Sequence, residues 1–301
     1  MRQKRGTSGK PGSNREGYER AGLRLRRQRS PQHLFACWEQ AAAGLRAATN
    51  IALFLDFDGT LVPLQRDPQR VRLDEPTRRQ LQRIARHPHV TLGFVSGRRR
   101  RDLIQRVRVK GAAYLGLHGL ETGARANSLG VPRRLVSRAR RDLAVRLNGL
   151  PNVWIEDKGL SFVVHYRGAT NPAMRRARSL LQEYLASRAS ALRVLEGKKV
   201  WEVLPREAQG KGKAVKDVLA EMPKGVLPIY IGDDTTDESA FAQLKTGLTI
   251  RVGIRKPTRA KYALRDPAEV KQFLSRLEIE LTENAGAART GRETPRLRKN
   301  P

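Results

Sequence analysis

A single cysteine, Cys37, stands among 301 residues, which excludes an internal disulfide framework. It has no Cys/His cluster around it, so a thiolate zinc site is excluded as well. No apolar run approaches the roughly 20 residues that a membrane span needs, and residues 1–30 lack the apolar segment of a secretory signal. Aromatic side chains make up only 5% of the chain, and none is interleaved with its arginine runs. With no RRM signature and no zinc-finger spacing either, no recognised nucleic-acid module is present. Acidic residues are outnumbered, 29 against 60 Lys and Arg, for a formal net charge of +31. That surplus attracts polyanions and phosphorylated solutes without identifying one. It reads as a solvated basic surface, on which nucleic-acid contact would be nonspecific.

Hydrophobic content is low at 39%, and the shortfall gathers at the ends. Residues 1–30 carry ten Lys or Arg against two Glu, and residues 285–301 carry five against one. Such segments cannot bury enough apolar surface to offset their ordering entropy. Disordered basic tails are therefore expected over 1–35 and 281–301. The first tail is Arg-rich, as organelle transit peptides are, but Glu16, Glu19 and few serines count against that reading. A cytoplasmic monomer is the expectation.

Four apolar runs stand out between the tails: IALFL (51–55), VTLGFV (90–95), AAYLGL (112–117) and LPIYI (227–231). They are nearly continuous rather than alternating, as strands of a parallel sheet covered on both faces are. Helical stretches over 74–87, capped by Asp74 or Thr77, and over 97–107 lie between them. This rhythm predicts an α/β fold with a doubly wound parallel sheet. In such sheets the ligand crevice lies at the carboxyl ends of the strands. The runs end in Asp56-Phe57-Asp58, Ser96-Gly97-Arg98, His118-Gly119 and Gly232-Asp233-Asp234. One Asp-Gly turn closing a strand is ordinary; polar chemistry at four strand ends is not.

The rhythm changes between 120 and 204. A helix is expected over 132–149, then strands over 152–157 and 160–167 across a Lys158-Gly159 turn. A helix over 171–189 follows, with Asn171 as its cap and Pro172 at its first position. A hairpin of 192–197 and 198–205 closes the block. It reads as a smaller α/β domain, 120–204, inserted into a core made of 36–119 and 205–280.

Asp56 and Asp58 would share one loop, with Asp233 and Asp234 opposite. Clustered carboxylates resist ionising together unless a cation lies between them. Oxygen ligands with room for water favour Mg²⁺, and such a site suits phosphoryl transfer, with a carboxylate as nucleophile.

The residues carry a resemblance. DFDGTLVPL is similar to the first motif of the haloacid dehalogenase superfamily, VSGR (95–98) to the second, QGKGKAV (209–215) to the third and IGDDTTDESAF (231–241) to the fourth. More narrowly, YLGLHGLE (114–121), FVVHYR (162–167), GKKVWEV (197–203) and GDDTTDE (232–238) resemble the trehalose-6-phosphate phosphatases, over about residues 51–275. Gln209 departs from the Asp that often opens the third motif.

The resemblance implies a Rossmannoid core with a cap and a Mg²⁺-dependent hydrolysis of trehalose 6-phosphate through an aspartyl-phosphate. It implies Asp56 as nucleophile and Asp58 as general acid, then base. Asp56, the Asp58 carbonyl and Asp233 would hold Mg²⁺, with Asp234 and Asp237 around its water shell. Ser96, Gly97 and Lys211 would bind the phosphoryl group, with Lys213 the alternative lysine. Ser96 also reads as a helix N-cap and His118 as a buried, hydrogen-bonded histidine. Lys199 and Glu202 would grip the sugar hydroxyls, with Arg167, Glu156 and His118 lining the same pocket. A phosphatase for another sugar phosphate, or a basic nucleic-acid-binding protein on a phosphatase fold, are the alternatives.

Overall fold

The computed structural model describes residues 30–290 except 66, 68, 123–129, 198, 207, 209 and 254–256, with the backbone alone at 130–132 and 284–290. Residues 1–29 and 291–301 of the expected tails lie outside the described residues. The first half of the core comprises β1 (Gln32–His33), α1 (Trp38–Ala47), β2 (Ile51–Leu55), α2 (Glu75–Arg86), β3 (Val90–Val95), α3 (Arg100–Val107) and β4 (Ala113–Leu115). The inserted block holds α4 (Gly130–Leu147), β5 (Trp154–Asp157), β6 (Phe162–His165), α5 (Asn171–Ala186), β7 (Leu192–Gly197) and β8 (Val200–Pro205). The chain then completes the core with α6 (Gly210–Ala220), β9 (Leu227–Gly232), α7 (Glu238–Gln243), β10 (Leu248–Val252), β11 (Tyr262–Leu264) and α8 (Pro267–Thr290).

The core sheet is parallel throughout, in the order β1-β11-β10-β9-β2-β3-β4. From the central pair, β2 leads to β3 and β4 on one side while β9 leads to β10 and β11 on the other. The strand order thus reverses between β2 and β9, which is where doubly wound sheets bind ligands. The continuous apolar run of β2 has a direct cause. Ile51, Leu53 and Leu55 pack into a core shared with Leu81, Ile84 and Phe273, while Ala52 and Phe54 pack into a second core shared with Val215 and Phe241. Helices therefore cover both faces, and no position of the strand meets water.

The second sheet is antiparallel, in the order β5-β6-β8-β7. One of its faces is sealed by α4 and α5: Phe162, Val164, Trp201 and Val203 pack against Leu143, Leu147, Ala177 and Leu181. The opposite face stays open to the core sheet. Among the described residues no helix is long and apolar enough to cross a membrane.

Several elements are two or three residues shorter than expected, and both tails and one helix cap differ for a physical reason. Residues 32–35 are core rather than tail, because Gln32–His33 pairs with β11 and the Leu34 side chain is fully buried. At the other end α8 runs through Thr290, and Leu281 continues the buried stripe of Leu274 and Leu277, so 281–290 is helix rather than tail. The cap of α5 is Thr170, not Asn171. Thr170 has extended dihedrals and its hydroxyl accepts from Ala173 N–H at 3.4 Å, whereas Asn171 is already helical. Asp74 caps α2 as expected, its carboxylate accepting from Thr77 N–H at 3.0 Å.

Candidate active site

β2 ends in the switch crevice, and its next residue, Asp56, is tied down by donating its N–H to Ile231 O on β9 at 2.9 Å. The Asp56 carboxylate is buried and meets Lys211 Nζ at 2.9 Å. Lys211 rides in the first turn of α6 and reaches Asp237 Oδ1 at 2.8 Å with the same ammonium. Asp237 also accepts from Tyr230 OH at 2.7 Å and from Asp234 N–H at 2.9 Å. Both its oxygens are therefore engaged by protein donors. Oxygens of Asp56, Asp233 and Asp237 all lie within 4.8 Å of one another.

These carboxylates crowd one another in a space with little water. Burial pushes the Asp56 carboxyl well above the ordinary range, with the charges of Asp237 and Asp233 adding to it and Lys211 opposing. Burial and the charge of Asp237 likewise raise Asp233 to about 6. Burial works against the charge of Lys211, but Asp237 and Asp56 outweigh it and keep the ammonium protonated. A dense, oxygen-only, incompletely neutralised cluster fits a small divalent cation. Gly59 makes the approach of Asp233 feasible: it sits at φ +84°, and a Cβ there would lie 2.2 Å from Asp233 Oδ2.

Asp58 does not face this cluster. Its carboxylate is gripped by Arg98, with Nε to Oδ2 and Nη2 to Oδ1 both at 2.6 Å. Arg98 also donates to Asp102 at 3.1 Å, and Asp102 in turn pairs with Arg106. Ser96 is buried after β3, with its Oγ accepting from Arg98 N–H at 3.2 Å, so it shapes the loop before α3 without capping that helix. Gly97 lies directly under His118: a Cβ at 97 would sit 2.8 Å from the ring. The His118 ring is placed there by a left-handed stretch, with φ of 47° at Leu117, 56° at His118 and 96° at Gly119.

The open face of the second sheet comes down on this edge. Glu202 of β8 is buried, with Oε2 3.1 Å from His118 Nε2 and Oε1 accepting from Ser161 Oγ at 2.7 Å. Lys158 lies 3.6 Å from the same carboxylate and donates to Gly97 O at 3.3 Å. Burial would raise the Glu202 carboxyl, but Lys158, His118 and Ser161 overcome this and hold it at about 2.

The structure therefore brings together Asp56, Lys211, Asp233 and Asp237, sets Ser96 and Gly97 at the end of the neighbouring strand β3, and joins His118 to Glu202. Asp234 turns away to cap the helical turn before α7, accepting from Thr235 N–H at 2.7 Å. Lys213 pairs with Asp217 on the α6 surface, which leaves Lys211 as the lysine at Asp56. Lys199 is exposed at the β7–β8 turn, and Arg167 is exposed as well. Glu156 is exposed and hydrogen-bonded to His165 at 2.9 Å. Lys199 and Glu202 are not a contacting pair here, because a turn residue and a mid-strand residue three positions on project differently. Three contributors escaped sequence reasoning: Lys158, Ser161 and the Arg98–Asp58 fork. The Lys158-Gly159 turn and the residue after Gly97 were their only sequence signals.

The model of the trehalose-phosphatase family matches residues 54–268. A trehalose 6-phosphate phosphatase of Zea mays is 32% identical over 257 residues, covering 75% of this chain and 69% of that one. A trehalose-phosphate phosphatase of Mycobacterium tuberculosis is 33% identical over 249 residues, 77% of this chain, which spans only 62% of that relative's length. Among solved structures, the trehalose-6-phosphate phosphatase of Aspergillus fumigatus superposes with a TM-score of 0.59 at 26% identity, over 83% of this chain and 99% of that one.

Proposed function

Since the chain belongs to the trehalose-phosphatase family of phosphoric monoester hydrolases, we propose that it converts trehalose 6-phosphate to trehalose and phosphate through an Asp56 aspartyl-phosphate. The observation that carries this reading is the buried Asp56–Lys211–Asp237 triad beside Asp233 at the β2/β9 crevice. Asp56 and Asp233 would hold Mg²⁺, with Asp237, its oxygens already engaged, outside the direct ligand set. When bound, the ion neutralises charge on the phosphoryl oxygens and the nucleophile.

The Asp56 carboxylate attacks phosphorus, and the bond from phosphorus to the sugar oxygen breaks. Lys211 orients the nucleophile and balances the charge that builds on the phosphoryl group. Ser96 and the backbone at Gly97 supply its remaining donors. Asp58, protonated and released from the Arg98 fork, gives the departing sugar oxygen a proton. It then takes one from the water that attacks the aspartyl-phosphate, which restores Asp56 and releases phosphate. The antiparallel unit acts as a cap whose open face, with Glu202, Glu156, Lys158 and Arg167, meets the sugar and excludes water.

Phosphate release from trehalose 6-phosphate, sucrose 6-phosphate and glucose 6-phosphate, each with and without Mg²⁺, tests the reading. Selective, Mg²⁺-dependent release from trehalose 6-phosphate that disappears in Asp56→Ala is expected. Equal rates over the panel would remove the substrate assignment, and activity surviving in Asp56→Ala would remove the mechanism.

A further inference from the structure

Trp154 is one of four exposed large apolar side chains among the described residues, at 54%. It lies on β5, and sheet alternation fixes where it points. Ile155 and Val153 pack toward α4 and α5, so Trp154 and Glu156 project from the opposite, open face. On β6 the same parity puts Val163 and His165 on that face, and on β8 it puts Glu202 there. Glu202 is the residue that touches His118 of the core. Trp154 therefore shares a surface with the groups that overhang the phosphate loop, at its outer rim.

The ring is not loose. It stacks on His165 with centroids 3.8 Å apart and planes 4° from parallel. His165 is pinned in turn by its 2.9 Å contact with Glu156. One face of the indole is thus covered and the other is free. Glu156 and Glu202 flank Val163 in register, so they stand about 10 Å apart, and Trp154 lies about 7 Å further along its strand from Glu156. Exposure rises along this row, from 11% at the Glu202 side chain to 45% at Glu156. The row runs from the buried Gly97–His118 end, with carboxylates along it and a rigid aromatic plate at its exposed end.

We propose that the free face of Trp154 stacks on the sugar ring remote from the phosphate, making Trp154 a specificity-determining residue for a disaccharide phosphate. The electron-rich face of an indole suits the C–H face of a pyranose, while Glu156 offers acceptors to hydroxyls at its edge. The His165 stack holds the plate in place before the ligand arrives, so little rotamer entropy is lost on binding. The proposal rests on the sugar-phosphate reading above and names the recognition element within it.

The test compares Trp154→Ala and Trp154→Phe with the unmodified protein. For trehalose 6-phosphate, Trp154→Ala is expected to raise KM about 2- to 12-fold, which is an aromatic contact of roughly 0.5–1.5 kcal/mol expressed as affinity. Trp154→Phe should recover part of the loss. Glucose 6-phosphate, whose single ring stays at the phosphate end, should change less. A second readout is independent of turnover: trehalose added to the unmodified protein should alter its tryptophan emission, and Trp154→Phe should abolish the change. If trehalose 6-phosphate is hydrolysed and its KM is indifferent to Trp154→Ala, the platform is refuted and the functional reading stands. If no trehalose 6-phosphate is hydrolysed, the functional reading fails. The emission titration then decides the platform alone, and no Trp154-dependent response to trehalose, sucrose or maltose overturns it.

Discussion

Replacing Lys211 by Met keeps the volume of the side chain and removes the one cation that touches both Asp56 and Asp237. The two contacts, at 2.9 and 2.8 Å, are each worth about 6 kcal/mol of gross attraction at an effective dielectric near 20. Much of that offsets the cost of burying the ammonium. What remains on breaking such a buried pair is about 3–5 kcal/mol of stability. For a chain of this size each kcal/mol moves Tm by roughly 2–4 °C, so a fall of roughly 6–20 °C is expected. The loss must also depend on pH. Asp56 and Asp233 already titrate above their ordinary range, and Lys211 opposes the rise in both; without it both move higher still. A carboxyl whose folded value lies above its unfolded value contributes stability below the unfolded value and loses it as pH rises through the folded one. The deficit of the variant should therefore widen between about pH 5 and pH 8. Thermal melts in chelator at both pH values measure it, and added Mg²⁺ should restore part of the deficit by replacing the missing charge. A fall below about 2 °C at the higher pH, or a larger loss at the lower one, would refute the account of the cluster.

Other outcomes follow from single contacts. Gly59→Ala drives a Cβ into Asp233 at a left-handed position; it should suppress the rise in Tm that Mg²⁺ gives the unmodified protein, about 2.7 kcal/mol at a hundredfold excess over Kd, and an undiminished rise would contradict this. Arg98→Ala releases the fork on Asp58 and should lower stability by about 2–4 kcal/mol in urea melts. Glu202, held at about 2 against 4.5 unperturbed, contributes stability above its unfolded value that is lost as pH falls from about 4.5 to 2. That contribution amounts to about 3 kcal/mol, so Glu202→Gln should flatten the acid limb of a stability–pH curve. Asp56→Asn should fold and bind phosphate yet release none from substrate, checked by a phosphate-release assay beside a melt.

The strands built from continuous apolar runs were the most legible: β2 and β3 coincide with theirs to the residue. β10 was not recognised, because Arg251 interrupts it. That side chain is nonetheless buried, bonded to Glu238 at 2.7 Å and to the Asp233 carbonyl at 2.8 Å, and only tertiary structure provides those partners. β1 and β11, at two and three residues, are too short for any periodicity. In the site, Asp56, Ser96, Lys211 and Asp233 were legible because each follows a strand or opens a helix within a motif. The engagement of Asp58 by Arg98, and of Glu202 by Ser161, His118 and Lys158, depends on side-chain direction and on the approach of two sheets, neither of which spacing encodes. The role of Trp154 was hidden for a related reason: a single aromatic on a short strand reads the same whether it faces helices or a crevice.

Helix α6, which carries Lys211, and helix α7, which Asp237 immediately precedes, cannot slide past each other. Gly212 of α6 donates its N–H to Ser239 Oγ at 3.1 Å, and a Cβ at that position would lie 2.2 Å from the Ser239 carbonyl. The register of α6 against α7 is thus set within the width of a methyl group. The antiparallel unit, by contrast, holds the core through the polar contacts of Glu202 and Lys158, which water can replace. Turnover then separates into two clocks. On the proposed reading, chemistry runs on a charge array already assembled at folding, whereas exchange of substrate and solvent occurs at an interface that can part without disturbing it. A more viscous solvent should accordingly lengthen the second interval and leave the first untouched.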